Sequence, residues 1–225
     1  MSVDEGFVSV EPEAATEVGG GPLSAPARSR IATRRRIVEA GTELFACEGL
    51  HAVTSARIAR AAGVASGTFY LHFEDKKHLF REIVFAAVAR LQHAQGRAAA
   101  AAGPELHDQI RARISELATF AEQNRTLVTL VFGRDHEAAS LDQDVLEALR
   151  PIVEEALRGR AESLQLSGTF PPAVATQALL GMQTRVIAWW SEDPSRATRD
   201  EIIETLCRMH PLWLPGQQGR RGEVT

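Results

Sequence analysis

Leu79, Phe80, Ile83, Val84, Ala87, Val88 and Leu91 recur three and four residues apart. That spacing lays a wide apolar stripe along one side of a helix. No half-buried strand presents it, because strand side chains alternate in twos. The same period returns at Ile37, Gly41, Leu44 and Phe45, and at Ile110, Ile114, Leu117 and Ala121. It returns again at Ala175, Ala178, Leu179, Met182, Val186 and Trp190, and at Ile202, Ile203, Leu206 and Met209. Strand-like alternation is almost absent, so the sequence predicts an all-α protein of about nine helices. A chain of 225 residues, 44% of them hydrophobic, supplies one large core or two small ones.

Punctuation residues divide the helices. Residues 1–27 carry acids, Pro, Gly and Ala and too little apolar surface to fold, which predicts a disordered tail. A helix starts near Ile31 and ends at Gly49 as a left-handed cap. Thr54 or Ser55 caps a second helix, "AGV" at 62–64 makes a turn, and a third helix runs from Ser66 to Phe73. Asp75 caps a long fourth helix, closed by Gly103, and Pro104 opens the fifth. Asn124 caps a sixth over Arg125–Phe132, followed by a loop, "GRDHEAAS". Ser140 with Gln143 forms a capping box for the seventh, which Pro151 kinks or splits. After "SGTFPP" an eighth runs from Pro172 to Trp190. Thr198 with Glu201 boxes a ninth, ending near Met209, and residues 215–225 form a flexible tail.

Charge follows the same divisions. Residues 1–27 hold five acids and no Lys or Arg, residues 28–82 hold ten Lys and Arg against six acids, and the remainder is acidic again. A basic segment between acidic ones is the footprint of a nucleic-acid-binding module joined to something else. Within it, residues 54–73 read as a helix-turn-helix. Gly63 gives the turn its backbone freedom, Ile58, Ala59, Ala62 and Val64 fix the angle, and Phe69 and Phe73 face inward. The third helix then offers Ser66, Gly67, Thr68, Tyr70 and His72 to a major groove.

The stretch "TRRRIVEAGTELFACEGLHAVTSARIARAAGVASGTFYLHFEDKKHLF" resembles the DNA-binding domain of the tetracycline-repressor (TetR/AcrR) family of bacterial regulators. Thr33-Arg34, Ile37, Ala40, Leu44-Phe45, Gly49, Thr54, Ile58-Ala59, Ala62-Gly63-Val64, Gly67, Tyr70, His72-Phe73, Lys76 and Leu79 carry the likeness, over about a quarter of the chain. It implies a DNA-binding domain at 28–78 and an effector-binding and dimerisation domain at 79–214. It further implies a cytoplasmic homodimer, a repressor, that holds a palindromic operator and is released by a small molecule. By position, Tyr70, His72 and Lys76 resemble the family's phosphate contacts. Ser66, Gly67 and Thr68 resemble its groove-facing residues, and Thr54 and Arg57 join the DNA-binding set. Arg28, Arg30 and Arg34 to Arg36 would form a minor-groove arm. Two departures stand out. Ala65 replaces the Ser or Thr that often caps the recognition helix. That helix also carries no Arg, Lys, Asn or Gln for bidentate base contacts.

In the family the last two long helices pair with a second copy. Here that places Leu179, Met182, Val186, Trp190, Ile202 and Leu206 at the dimer interface. On composition, Phe120, Phe132, Gln183, Arg185 and Trp189 are candidate linings of a pocket for an apolar or aromatic effector. Catalytic readings fare badly. "HEAAS" at 136–140 is not HExxH, "DQD" at 142–144 lacks the glycine and spacing of a calcium loop, and no nucleophile motif is present. Neither a cofactor, a metal nor an enzymatic activity is expected. Two distant cysteines point to a reducing compartment. No apolar run reaches the ~18 residues that span a bilayer, and the acidic N-terminus is not a secretory signal. The missing cap and plain recognition helix also fit a ligand-binding or adaptor protein with a vestigial DNA module.

Overall fold

A computed structural model describes residues 24–133, 139–163 and 171–212. Among them are nine α-helices and no strand. They are α1 (Ala25–Ala52), α2 (Ser55–Ala61), α3 (Ser66–Tyr70), α4 (Lys76–Ala101), α5 (Leu106–Gln123), α6 (Arg125–Phe132), α7 (Ala139–Ser163), α8 (Pro172–Glu192) and α9 (Arg199–Arg208). The all-α expectation holds. Most of the predicted 133–140 loop, the "SGTFPP" break and both tails, apart from residues 24–27, lie outside the described residues.

Local chemistry sets the ends. Thr54 Oγ1 accepts from Arg57 N at 3.2 Å and starts α2, and Asp75 Oδ1 accepts from His78 N at 2.7 Å and starts α4. Thr198 and Glu201 form the capping box of α9. Four expectations need correction. The helix begins at Ala25, inside the expected tail, because Ser24 caps it and Pro26 fits its first turn. Gly49 takes φ 78° and breaks the helical path as expected, but its ψ of 170° is not that of a left-handed cap, and a short helical turn follows to Ala52. Asn124 makes no cap: its Nδ2 donates back to the Phe120 carbonyl at 2.9 Å. Ser140 is already helical in α7, which runs on through Pro151. That proline is exposed, so water can take the carbonyl it leaves open.

Two apolar clusters fill the interior. One joins α1–α4 through Ile37, Phe45, Ile58, Phe69, Phe73, Leu79 and Phe80, and it also takes in Leu127 and Val131 of α6 and Leu141 and Val145 of α7. The helix-turn-helix therefore shares its core with the larger half of the chain. Contact between α1 and α4 is close: a Cβ on Gly41 would lie 2.6 Å from Leu79 Cδ2. The second cluster joins α5, α7, α8 and α9 through Ile114, Leu157, Leu179, Trp190, Ile202 and Leu206. Trp190 Nε1 donates to the Ala197 carbonyl at 2.8 Å, and Arg199 reaches from α9 to Thr119 Oγ1 on α5 at 3.0 Å. Cys207 lies in this cluster, where burial pushes its thiol up to about 11, while Cys47 is exposed. A thiol reagent at pH 8 should therefore modify one cysteine in the native protein and two in denaturant; two in the native state would refute the packing of α9.

Candidate functional site

The turn between α2 and α3 is built on Gly63, at φ 65°. That is the left-handed region where a side chain would be strained. Val64 N donates to the Ala59 carbonyl at 2.9 Å and closes the turn. Ile58, Ala59 and Phe69 are fully buried and Phe73 nearly so, which fixes α3 against α1 and α2. Ser66, Gly67 and Tyr70 are exposed, and Thr68 and His72 are half-buried. No atom lies within 4 Å of a Cβ built on Gly67, so the surface there is flat and open to close approach. Arg57, on α2, is ion-paired to Glu48 at the surface. Such a pair holds for only about 0–1 kcal/mol and can exchange partners. Ala65 provides no side-chain cap to α3. Ala65→Ser should stabilise the fold by about 1 kcal/mol, read as a melting point higher by roughly 2–4 °C. No rise would show that α3 needs no side-chain cap.

The structure gives several predicted contacts other work. Lys76 donates its ammonium to the carbonyls of Leu50 (2.8 Å), His51 (3.1 Å) and Val53 (2.8 Å). Three donors meet three acceptors, so in place of an expected phosphate contact the side chain ties the start of α4 to the last turn of α1. The five arginines expected as an arm lie in helical α1. Arg34 pairs with Glu82 and lies 5.0 Å over the Phe73 ring, and Arg35 pairs with Glu39 at 3.5 Å. His72 is held below its ordinary pKa by burial and by Arg30 and Arg34, so at neutral pH it offers a hydrogen bond and no charge. Sequence reading missed Leu71, 73% exposed beside Tyr70. Its signal was an apolar residue out of phase with the inward Phe69 and Phe73.

A cavity of about 610 Å³ lies among α4–α8 and the segment after α9. Phe120, Phe132 and Gln183 line it. Arg185 and Trp189 do not. Arg185 is exposed on the outer side of α8, and Trp189 lies under Arg196, 5.4 Å from its guanidinium. Leu91, Ile114, Leu149, Leu179 and Ile187 supply much of the wall. The dimer residues need the same correction. Leu179, Trp190, Ile202 and Leu206 are at most 6% exposed within one chain, because α8 and α9 turn those stripes onto α5 and α7. Met182 and Val186 are half-buried. The outward side of α8 carries Val174, Ala178, Gly181 and Arg185, and α9 adds Thr205 and Met209.

The described residues thus combine a helix-turn-helix with a helical body that holds a largely apolar cavity. Residues 37–83 match the family model for bacterial regulatory proteins of the tetR family. The transcriptional regulator AcrR of Shigella flexneri is 43% identical over 51 residues, 23% of this chain and 24% of that protein. Over AcrR and two Pseudomonas putida regulators the match spans only 24–42% of the relatives' own length. The fatty acid metabolism regulator protein of Bacillus subtilis is 26% identical over 181 residues, 76% of this chain and 92% of the relative. The structure of the fatty acid degradation regulator FadR from Bacillus halodurans shares the fold, with a TM-score of 0.63 at 19% identity. That likeness covers 85% of this chain and 95% of the other. Over residues 37–83 the chain is thus similar to the tetR family of bacterial regulatory proteins, and beyond them it shares the fold of FadR.

Among the described residues no helix is long and apolar enough to cross a membrane, and no group of three or more His, Cys, Asp or Glu side chains is placed to hold a metal.

Proposed function

We propose that two copies of the chain hold a palindromic DNA site with their α3 helices, repress transcription there, and let go when a small molecule fills the cavity. The observation that carries this is α4. Its middle lines the cavity with Val88, Leu91, Gln92 and Gln95, and its first residue, Lys76, is tied to the end of α1 just ahead of α2. A ligand that shifts α4 therefore shifts the frame of the helix-turn-helix. Two α3 helices read half-sites about 34–36 Å apart, and a ligand preferring another separation moves the population away from the bound form. Thr54, Arg57, Ser66, Gly67, Thr68, Tyr70 and His72 are the DNA-facing set, with Lys76 as their brace. The small, exposed side of α8 with Met209 of α9 is the surface for the second copy. Sequence preference then rests on Arg57, on apolar contact with thymine methyls and on DNA shape.

Fluorescence anisotropy against DNA upstream of the protein's own gene tests this. A sequence-selective, salt-sensitive complex with two protomers per site is expected. Binding that ignores sequence at moderate salt would refute it.

A further inference from the structure

Leu71 stands where α3 is furthest from the core. The backbone is still helical there, at φ −75° and ψ −15°, and Leu71 N donates to the Thr68 carbonyl at 3.2 Å. At about 100° per residue, Leu71 lies roughly opposite the midpoint of Phe69 and Phe73. Those two rings are at most 1% exposed, and Leu71 is 73% exposed. His72 N and Phe73 N donate to the Phe69 carbonyl at 2.9 and 3.0 Å, so the chain on the far side of the leucine is held as well. Its outward direction is therefore set by two buried rings and a bonded backbone. Gly67 precedes it by one turn on the same side, where a Cβ would meet nothing within 4 Å. Tyr70, 59% exposed, stands beside it, its ring set edge-on against Phe69 with centroids 5.4 Å apart. The outermost line of α3 is bare backbone followed by one aliphatic projection.

The surroundings say what meets it. Arg30 and Arg34 of α1 stand close enough to His72, the next residue, to oppose its protonation. On the α1 side the apolar apex is therefore flanked by cations. That is how a surface meets DNA: charge for the phosphates, shape for what lies between the strands. In the major groove the base edges present donors and acceptors, and the C5-methyl of thymine is the apolar feature among them. A leucine laid on a polar edge would strip water from it and return no bond. We propose that Leu71 is the base-reading residue of α3, packing on the C5-methyl of a thymine in each half-site and so setting a thymine preference there. This rests on the DNA-binding reading above and deepens it. α3 has no side chain for bidentate base contacts, and Leu71 discriminates instead by shape and by the exclusion of polar edges.

Duplexes enriched from a random-sequence pool by the full chain test this. Anisotropy follows the enriched site with its thymidines replaced one at a time by deoxyuridine, which deletes the methyl and leaves the pairing edge intact. At least one symmetry-related pair of thymines should respond, with affinity falling about fourfold for each methyl removed and about 15-fold for both. Leu71→Ala should melt at the wild-type temperature, because the side chain is exposed, and should bind the thymine and uracil duplexes alike. A Leu71→Ala protein that keeps the uracil penalty, a penalty erased by Tyr70→Ala alone, or a Leu71→Ala loss equal on every duplex would each overturn the assignment. An enriched site with no uracil-sensitive position sinks the role of Leu71 and leaves the DNA-binding reading standing. A pool that yields no selective duplex sinks that reading, and the role of Leu71 goes with it.

Discussion

A Gly181→Arg protein is expected to run as a monomer and lose its hold on operator DNA, while melting at the wild-type temperature. Gly181 lies in the exposed face of α8 between Ala178 and Arg185. A Cβ there meets nothing within 4 Å inside the protomer, so the substitution does not disturb the fold. In a two-fold pair that packs this face on itself, small residues let the helices approach closely. A guanidinium at the seam both wedges them apart and faces its own copy across the axis. Loss of the second half-site removes most of the gap between specific and non-specific binding, so affinity should fall by at least about 100-fold. Light scattering reads the mass. A dimer of unchanged mass would place the interface elsewhere.

Lys76→Gln gives the second large effect. Three charge-assisted bonds to Leu50, His51 and Val53 are lost together, and the carbonyls are left at the bend of α1. Stability should drop by about 2–3 kcal/mol, or roughly 4–12 °C in melting temperature. Operator affinity should fall with it, because the end of α1, just ahead of α2, is no longer held to α4. The salt dependence separates the two roles open to this lysine. A lysine that meets a phosphate contributes about 0.9 to the slope of log K against log salt, and its removal lowers the slope by that amount. For a lysine that braces the frame, the slope should stay at the wild-type value while affinity falls. A slope lower by about 0.9 would return Lys76 to the DNA surface.

Much of the helix-turn-helix was legible in the sequence because its requirements are local. Gly63 needs a positive φ, Thr54 and Asp75 need only a backbone amide three residues on, and Phe69 and Phe73 must point inward if α3 is to dock at all. What lay beyond reach depends on partners distant in the chain. The stripes on α8 and α9 announced that Leu179, Trp190, Ile202 and Leu206 are buried, but periodicity cannot say against what. α5 and α7 of the same chain cover them. The face proposed for a second copy is made of Ala178, Gly181 and Arg185, which form no apolar stripe. Lys76 reaches carbonyls 23 to 26 positions away, past what any local motif encodes. A void leaves no mark on a sequence either, and Phe120, Phe132 and Gln183, named on composition alone, lie in its wall among many residues that composition did not single out.

The shared core also bears on how such regulators are recombined. No residue of α1–α3 lines the cavity, so under the proposed function the DNA address and the chemical signal are written in separate parts of the chain. Exchanging addresses by splicing at Asp75 would nonetheless cut through packing, since Leu127, Val131, Leu141 and Val145 complete the core of the N-terminal half. A working chimera must bring those four side chains along or match their shapes. The seam between signal and address is a surface contributed by six helices, and the natural unit of exchange is that surface together with both of its sides.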